Sequence, residues 1–174
     1  ETIGRDGHHL LEAIYAPTSP HWLRQLPAVE TLRRVWEQQY YVQGEEISWR
    51  EADDLPPGAQ LIVSPYDVEA RRGVRRSTGW TGYRVHLTET CEGTFPSLIT
   101  NVETCPATTP DSELTAPIHK HLEEKEMLPG EHLLDQGYVD AQTLVDSKRE
   151  REIEVIGMVQ DDTSWQARTE GGFD

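Results

Sequence analysis

Apolar positions recur at helical spacing from residue 7 to residue 41. A helix is expected over residues 9–15, stopping before Pro17. A second begins with Pro27 in its first turn and carries Val29, Leu32, Trp36 and Tyr40 on one stripe, which is a core-facing pattern. Residues 42–60 hold Gly44, Asp53, Asp54, Pro56, Pro57 and Gly58 and read as an irregular linker, with Ile47 to Trp49 extended. Leu61, Ile62 and Val63 then open a sheet region. Tyr83, Val85 and Leu87 alternate with Arg84, His86 and Thr88, which predicts a strand with its apolar side buried; Leu98 to Thr104 is its expected partner around Gly93 and Thr94.

The pattern turns helical again over residues 111–128, where Leu114, Ile118 and Leu122 share a face. Pro117 interrupts, so the regular helix is expected from there to the stop at Pro129 and Gly130. A short strand over 131–135, a helix from Ala141 to about Glu152 and a strand over 154–159 complete the order. Asp140 can cap the second of these helices, with Val139 and Leu144 as a hydrophobic staple. The pattern alone implies a mixed α/β chain.

Composition changes this picture little. The 174 residues suffice for a domain with a core, although 36% hydrophobic content and 11 prolines imply much irregular surface. No apolar run approaches membrane-spanning length, so a soluble chain without a membrane partner is expected. Cys91 and Cys105 are not placed opposite one another in the expected hairpin, and no disulfide is expected. The histidines lack zinc-site spacing: His119 and His121 point to different helix faces, His8 and His9 are adjacent, and both pairs read as surface or interface residues.

Candidate chemistry concentrates in one stretch. Leu133 and Leu134 sit in a short apolar run that ends at Asp135, which is followed by Gly137 and the helix cap Asp140. Asp135 therefore lies at the carboxyl end of a strand, where α/β sheets hold ligands. It either caps the turn or binds a metal ion.

Taken together, Ser64-Pro-Tyr-Asp67, Gly82-Tyr-Arg-Val-His-Leu-Thr-Glu-Thr-Cys91, Leu98-Ile-Thr-Asn-Val-Glu-Thr104, Pro106-Ala-Thr-Thr-Pro-Asp111 and Leu134-Asp-Gln-Gly-Tyr138 come in an order that resembles bacterial insertion-sequence transposases of the DDE class. The helical stretch from His21 to Arg33 is similar to one found upstream in such proteins. The resemblance implies an incomplete RNase H-like mixed sheet flanked by helices, residues 61–174, preceded by a helical region, residues 1–60. It also implies that Asp135 is the second of three catalytic acids. The first and third have no counterpart here, so an internal piece of a longer transposase or a decayed reading frame is expected. Asp67 matches no catalytic acid of that family.

In such sites, carboxylates hold two Mg²⁺ ions, with Mn²⁺ as an alternative; one activates the nucleophile and the other stabilises the leaving oxygen during DNA strand cleavage and transfer. A bacterial cytoplasmic, nucleoid-associated enzyme acting on DNA is implied, with self-association or association with full-length transposase. A net charge of −15 opposes DNA binding overall. Against that, Arg71, Arg72, Arg75, Arg76 and Arg84 gather in one segment with Trp80 and Tyr83 interleaved. The segment is either a phosphate-contacting ribbon or a solvated loop whose arginines pair with carboxylates. The alternative function is a non-catalytic, DNA-associated or interaction domain from a truncated element.

Overall fold

The computed structural model describes residues 2–91, 93 and 96–158. The chain forms two compact units, residues 1–84 with 105–108, and residues 85–104 with 109–174.

In the first unit, α1 (Thr2–Tyr15) starts earlier than the pattern suggests and packs on α2 (Pro27–Gln39). Close approach is possible because Gly4 and Gly7 of α1 face the rings of Tyr40 and Trp36; the Trp36 indole N–H donates to the Gly4 carbonyl at 2.8 Å. Val29 and Tyr40 of the expected stripe are buried. The segment read as an irregular linker contains a hairpin instead, β1 (Tyr40–Gln43) with β2 (Glu46–Trp49), whose two-residue turn uses Gly44 at φ 66°. No strand forms at Leu61–Val63. Ile62 is buried, but its N–H is satisfied by the Gln38 side chain at 2.8 Å rather than by a ladder, so an apolar run here marks burial without pairing.

β3 (Arg71–Arg75) pairs antiparallel with the first part of β4 (Thr78–Glu89), and β5 (Ile99–Pro106) is the other neighbour of β4. Arg76, at φ 55°, makes the turn between β3 and β4. The arginine-rich segment is thus a hairpin and not a loop. The expected turn at Thr94 lies outside the described residues.

The strand predicted over 83–88 is present, but its burial is reversed. Val85 and Leu87 are 61% and 59% exposed, whereas His86 is buried. Leu98, Ile99 and Val102 are exposed too. Alternation reported which residues share a face, and the second unit covers the polar one.

That unit is built around a parallel β–α–β crossover. β6 (Glu131–Leu133) pairs with β7 (Glu154–Ile156) through α4 (Ala141–Arg151). The strand expected over 154–159 ends at Ile156 among the described residues; Val159 and the chain end at Gly171 to Asp174 lie outside them. Asp140 caps α4, accepting from the Thr143 N–H at 2.7 Å. Val139, Ile153 and Val155 form the core, with Leu134 and Leu144 against them, so the staple is present. At the far end Glu152 takes a left-handed conformation and Ile153 donates back to the Ser147 carbonyl at 3.1 Å, which buries Ile153 completely.

The helix expected over 111–128 is a 3-10 turn at Asp111–Glu113 followed by α3 (Thr115–Glu124). Pro117 sits in the first turn of α3, where no intrahelical N–H is required. Among the described residues the strands form three separate small sheets, β1-β2, β3-β4-β5 and β6-β7. The molecule is accordingly mixed α/β, and no described helix is long and apolar enough to cross a membrane.

Gly157 closes the crossover: a Cβ there would meet the Leu134 carbonyl at 2.5 Å and Val139 at 3.0 Å. Gly157→Ala is expected to cost roughly 1–3 kcal/mol, the usual penalty for overpacking a filled site. Asp140→Ala should cost about 1 kcal/mol through removal of the cap. Urea titrations of both variants check the order, with Gly157→Ala the more damaging.

Candidate functional site

The strand expected over 131–135 ends at Leu133; Asp135 stands two residues beyond it and opens the 3-10 turn Gln136–Tyr138, so the carboxylate lies just past the carboxyl end of a parallel strand. It is exposed, and its backbone carbonyl accepts from the Tyr138 N–H at 2.9 Å. Asp135 also lines a cleft of about 790 Å³ within the second unit. Ile118, Leu122 and Leu134 give this cleft apolar walls, and Glu89, Glu131 and Asp135 are its acids. Among the described residues, no lysine or arginine lines it.

Beside Asp135, the Tyr138 hydroxyl and His86 Nδ1 are hydrogen-bonded, with the rings edge to face. Tyr138 is also held through its carbonyl, which accepts from the Thr115 hydroxyl at 3.0 Å. The 3-10 turn after Asp135 is therefore tied to both β4 and α3, and this fixes where the carboxylate emerges. Among the described residues, no three His, Cys, Asp or Glu side chains converge as a metal-ion set. Asp135 alone does not make a two-ion site.

The buried polar centre of the unit was not evident from spacing. His119 of α3 is 1% exposed, which corrects its reading as a surface histidine. Its Nε2 lies 2.9 Å from His132 Nδ1, and its Nδ1 lies 3.3 Å from the Ser147 hydroxyl. Three elements, α3, β6 and α4, are thus joined by one chain of hydrogen bonds. Burial pushes the His119 imidazole down to about 4, helped by neighbouring His132 and by the Arg151 charge; burial lowers His132 as well. Two neutral imidazoles can share one proton between facing nitrogens, whereas two imidazolium ions would set N–H against N–H. A signal for this was present: His132 lies beside Leu133 and Leu134 before Asp135, and His119 lies one turn from both Thr115 and Leu122. His121, by contrast, is on another face and meets Glu103 at 2.8 Å.

The arginines divide by role. Arg71 is engaged by the backbone, donating to the carbonyls of Ala59 at 2.6 Å, Val68 at 2.6 Å and Ala70 at 3.0 Å. Arg84 is half-buried in the middle of β4. Arg72, Arg75 and Arg76 are exposed on the β3–β4 hairpin. Arg75 and Arg76 line a shallow hollow at its tip with Ser77, Thr78 and the half-buried Trp80, whose ring packs over Gly73.

Asp67 has a structural task. It accepts from the backbone N–H groups of Glu69 and Ala70 at 3.1 and 3.2 Å, and from the Tyr83 hydroxyl at 2.8 Å, which ties the preceding turn to β4. The tyrosine hydrogen bond holds the carboxyl below its usual range, and the two amides add to this. Neither cysteine is in a disulfide; Cys91 is exposed and Cys105 buried.

The buried histidine pair makes the second unit acid-sensitive. A folded-state His119 held near 4 refuses a proton that the unfolded chain accepts below its ordinary value of 6.5. The stabilisation is therefore complete above about pH 6.5 and is lost as pH falls towards 4, by on the order of 3 kcal/mol. Amide exchange in α3 and β6 should accelerate between pH 6.5 and 5 beyond the intrinsic chemical trend. A pH-independent opening free energy over that interval would contradict the assignment.

No protein-family model, curated protein or solved structure matches this chain.

Proposed function

We propose that this chain is part of the catalytic region of a DNA transposase, with Asp135 one of the carboxylates that hold divalent metal during phosphoryl transfer on DNA. The observation that carries this reading is the position of Asp135, exposed at the carboxyl end of β6, at the start of the crossover to β7 and on the lining of a cleft. The RNase H-like fold, the bacterial cytoplasmic setting and the two Mg²⁺ ions belong to the same proposal. Carboxylate is the right donor for such ions, since hard oxygen ligands suit Mg²⁺ and their charge offsets that of the metal. Further acids have to join Asp135 before metal-dependent cleavage is possible.

DNA contact is assigned to the hairpin rather than to the cleft. Arg72, Arg75 and Arg76 are exposed and present cations along a two-stranded ribbon. Phosphate contacts of this kind position DNA without reading its sequence. The same hairpin supports the second reading, a non-catalytic DNA-associated domain that uses the ribbon alone.

Two measurements test these readings, and the second separates them. The 174-residue chain should neither nick nor join DNA with Mg²⁺ or Mn²⁺. In a longer protein carrying this segment and its remaining acids, Asp135→Ala should reduce cleavage by roughly three orders of magnitude or more and leave DNA binding nearly unchanged. Joint loss of binding and cleavage would give Asp135 a structural role, and unaffected cleavage would remove it from the site.

Arg75→Ala together with Arg76→Ala should weaken DNA binding alike at all sequences and flatten the salt dependence by about one unit of slope for each phosphate no longer neutralised. An unchanged slope would return the hairpin to a solvated surface.

A further inference from the structure

Among the described residues, two strands of the second unit leave a backbone edge without a strand partner on the same cleft. On β4, the Thr90 N–H donates to the Leu98 carbonyl at 3.0 Å, at the end where β4 and β5 meet. Backbone groups of an antiparallel strand alternate between its two sides, so even-numbered residues from Arg84 to Thr90 turn theirs towards β5 and odd-numbered residues turn theirs away. On that far side β3 pairs only as far as Gly82, whose φ of 141° interrupts the regular pleat of β4. Beyond that point the amides and carbonyls of Val85, Leu87 and Glu89 point to an edge with no strand partner among the described residues.

β6 repeats the situation. The Leu134 N–H donates to Ile156 at 2.9 Å and the Glu154 N–H to Gly130 at 2.9 Å, so even-numbered residues serve the ladder with β7. The backbone groups of Glu131 and Leu133 face away from β7, again without a strand partner among the described residues.

The cleft follows these edges. It is lined by consecutive residues of both strands, from His86 to Cys91 and from Pro129 to Asp135. A cavity over a sheet face would be lined by every second residue; unbroken runs belong to one that lies along the edge. Leu87 and Leu133, more than half exposed, line it, as do the buried Ile118 and Leu122. Its charged lining consists of Glu89, Glu131 and Asp135.

We propose that this cleft binds an extended peptide strand of a partner protein, apolar at alternate positions and flanked by lysine or arginine, which pairs with the open edges of β4 and β6. Main-chain hydrogen bonds would supply affinity, Leu87, Leu133, Ile118 and Leu122 would receive the apolar side chains, and the three carboxylates would select basic flanks. An edge that would otherwise template uncontrolled association is thereby given one specific partner. Asp135 and its cleft belong to both readings, whereas the arginine hairpin and DNA take no part here; the peptide test reads backbone protection on β4 and β6 and not cleavage, so failure of one reading is distinguishable from failure of the other.

The test uses the full 174-residue chain and a synthetic strand of about eight residues, alternating valine and threonine between terminal lysines. Binding is followed by fluorescence anisotropy and hydrogen exchange. The expected result is saturable binding with slowed exchange at Val85, Leu87, Glu89, Glu131 and Leu133. N-methylation of alternate peptide amides, which removes donors while keeping the side chains, should weaken binding roughly tenfold or more, and glutamate in place of the terminal lysines should also weaken it. Absence of binding would overturn the proposal, as would binding that leaves those amides unprotected or tolerates N-methylation. Protection of the same amides by raised protein concentration alone would overturn it in favour of a second copy of this chain.

Discussion

The organisation of the second unit rests on a single buried polar chain, Ser147 to His119 to His132. Each of the three groups comes from a different element, and none is next to another in sequence. Burying two imidazoles costs free energy unless their nitrogens are paired, and the pairing works only when α3, β6 and α4 are in register. The Val139–Ile153–Val155 cluster supplies apolar burial, which carries no direction of its own. The histidine pair fixes the register, because a shift of one residue in β6 would carry His132 to the other face. Asp135 stands three residues beyond His132, so the position of the carboxylate is inherited from this buried contact.

Charge is partitioned in a way that a net value of −15 conceals. Arg72, Arg75 and Arg76 are exposed on the β3–β4 hairpin, whereas the charged carboxylates Glu89, Glu131 and Asp135 line the cleft and, among the described residues, no lysine or arginine does. A carboxylate-lined cleft without lysine or arginine repels a bare polyanion, so on the transposase reading DNA could approach Asp135 only through neutralising cations. The ribbon and the cleft therefore have different electrostatic preferences and are best treated as two surfaces.

Much of the local structure was legible in the sequence for reasons that are themselves local. Asp140 as a cap, Val139 with Leu144 as a staple, Pro27 at a helix start and Gly130 before a strand depend on residues within one turn of each other. The failures share a different cause. Val85 and Leu87 alternate correctly but lie on the uncovered side, because periodicity identifies a face and cannot say which face a distant element will cover. Leu61–Val63 satisfied its burial through Gln38, a partner far along the chain. Of the candidate site, the placement of Asp135 after a strand could be read locally. The burial of His119 could not, since its two partners are thirteen and twenty-eight residues away.

The same distinction explains why the open edges escaped the sequence. A strand edge is defined by what does not pair with it, and nothing in Val85, Leu87, Glu131 or Leu133 records that absence. Composition would even argue for concealment, since β-branched and leucine residues beside unpaired amides invite aggregation. One feature restrains it here. Glu89, Glu131 and Asp135 place like charges along both edges, so an approaching copy of the same cleft meets repulsion. On the peptide proposal, that charge leaves the edges available to a basic extended segment, which is how an exposed edge becomes selective.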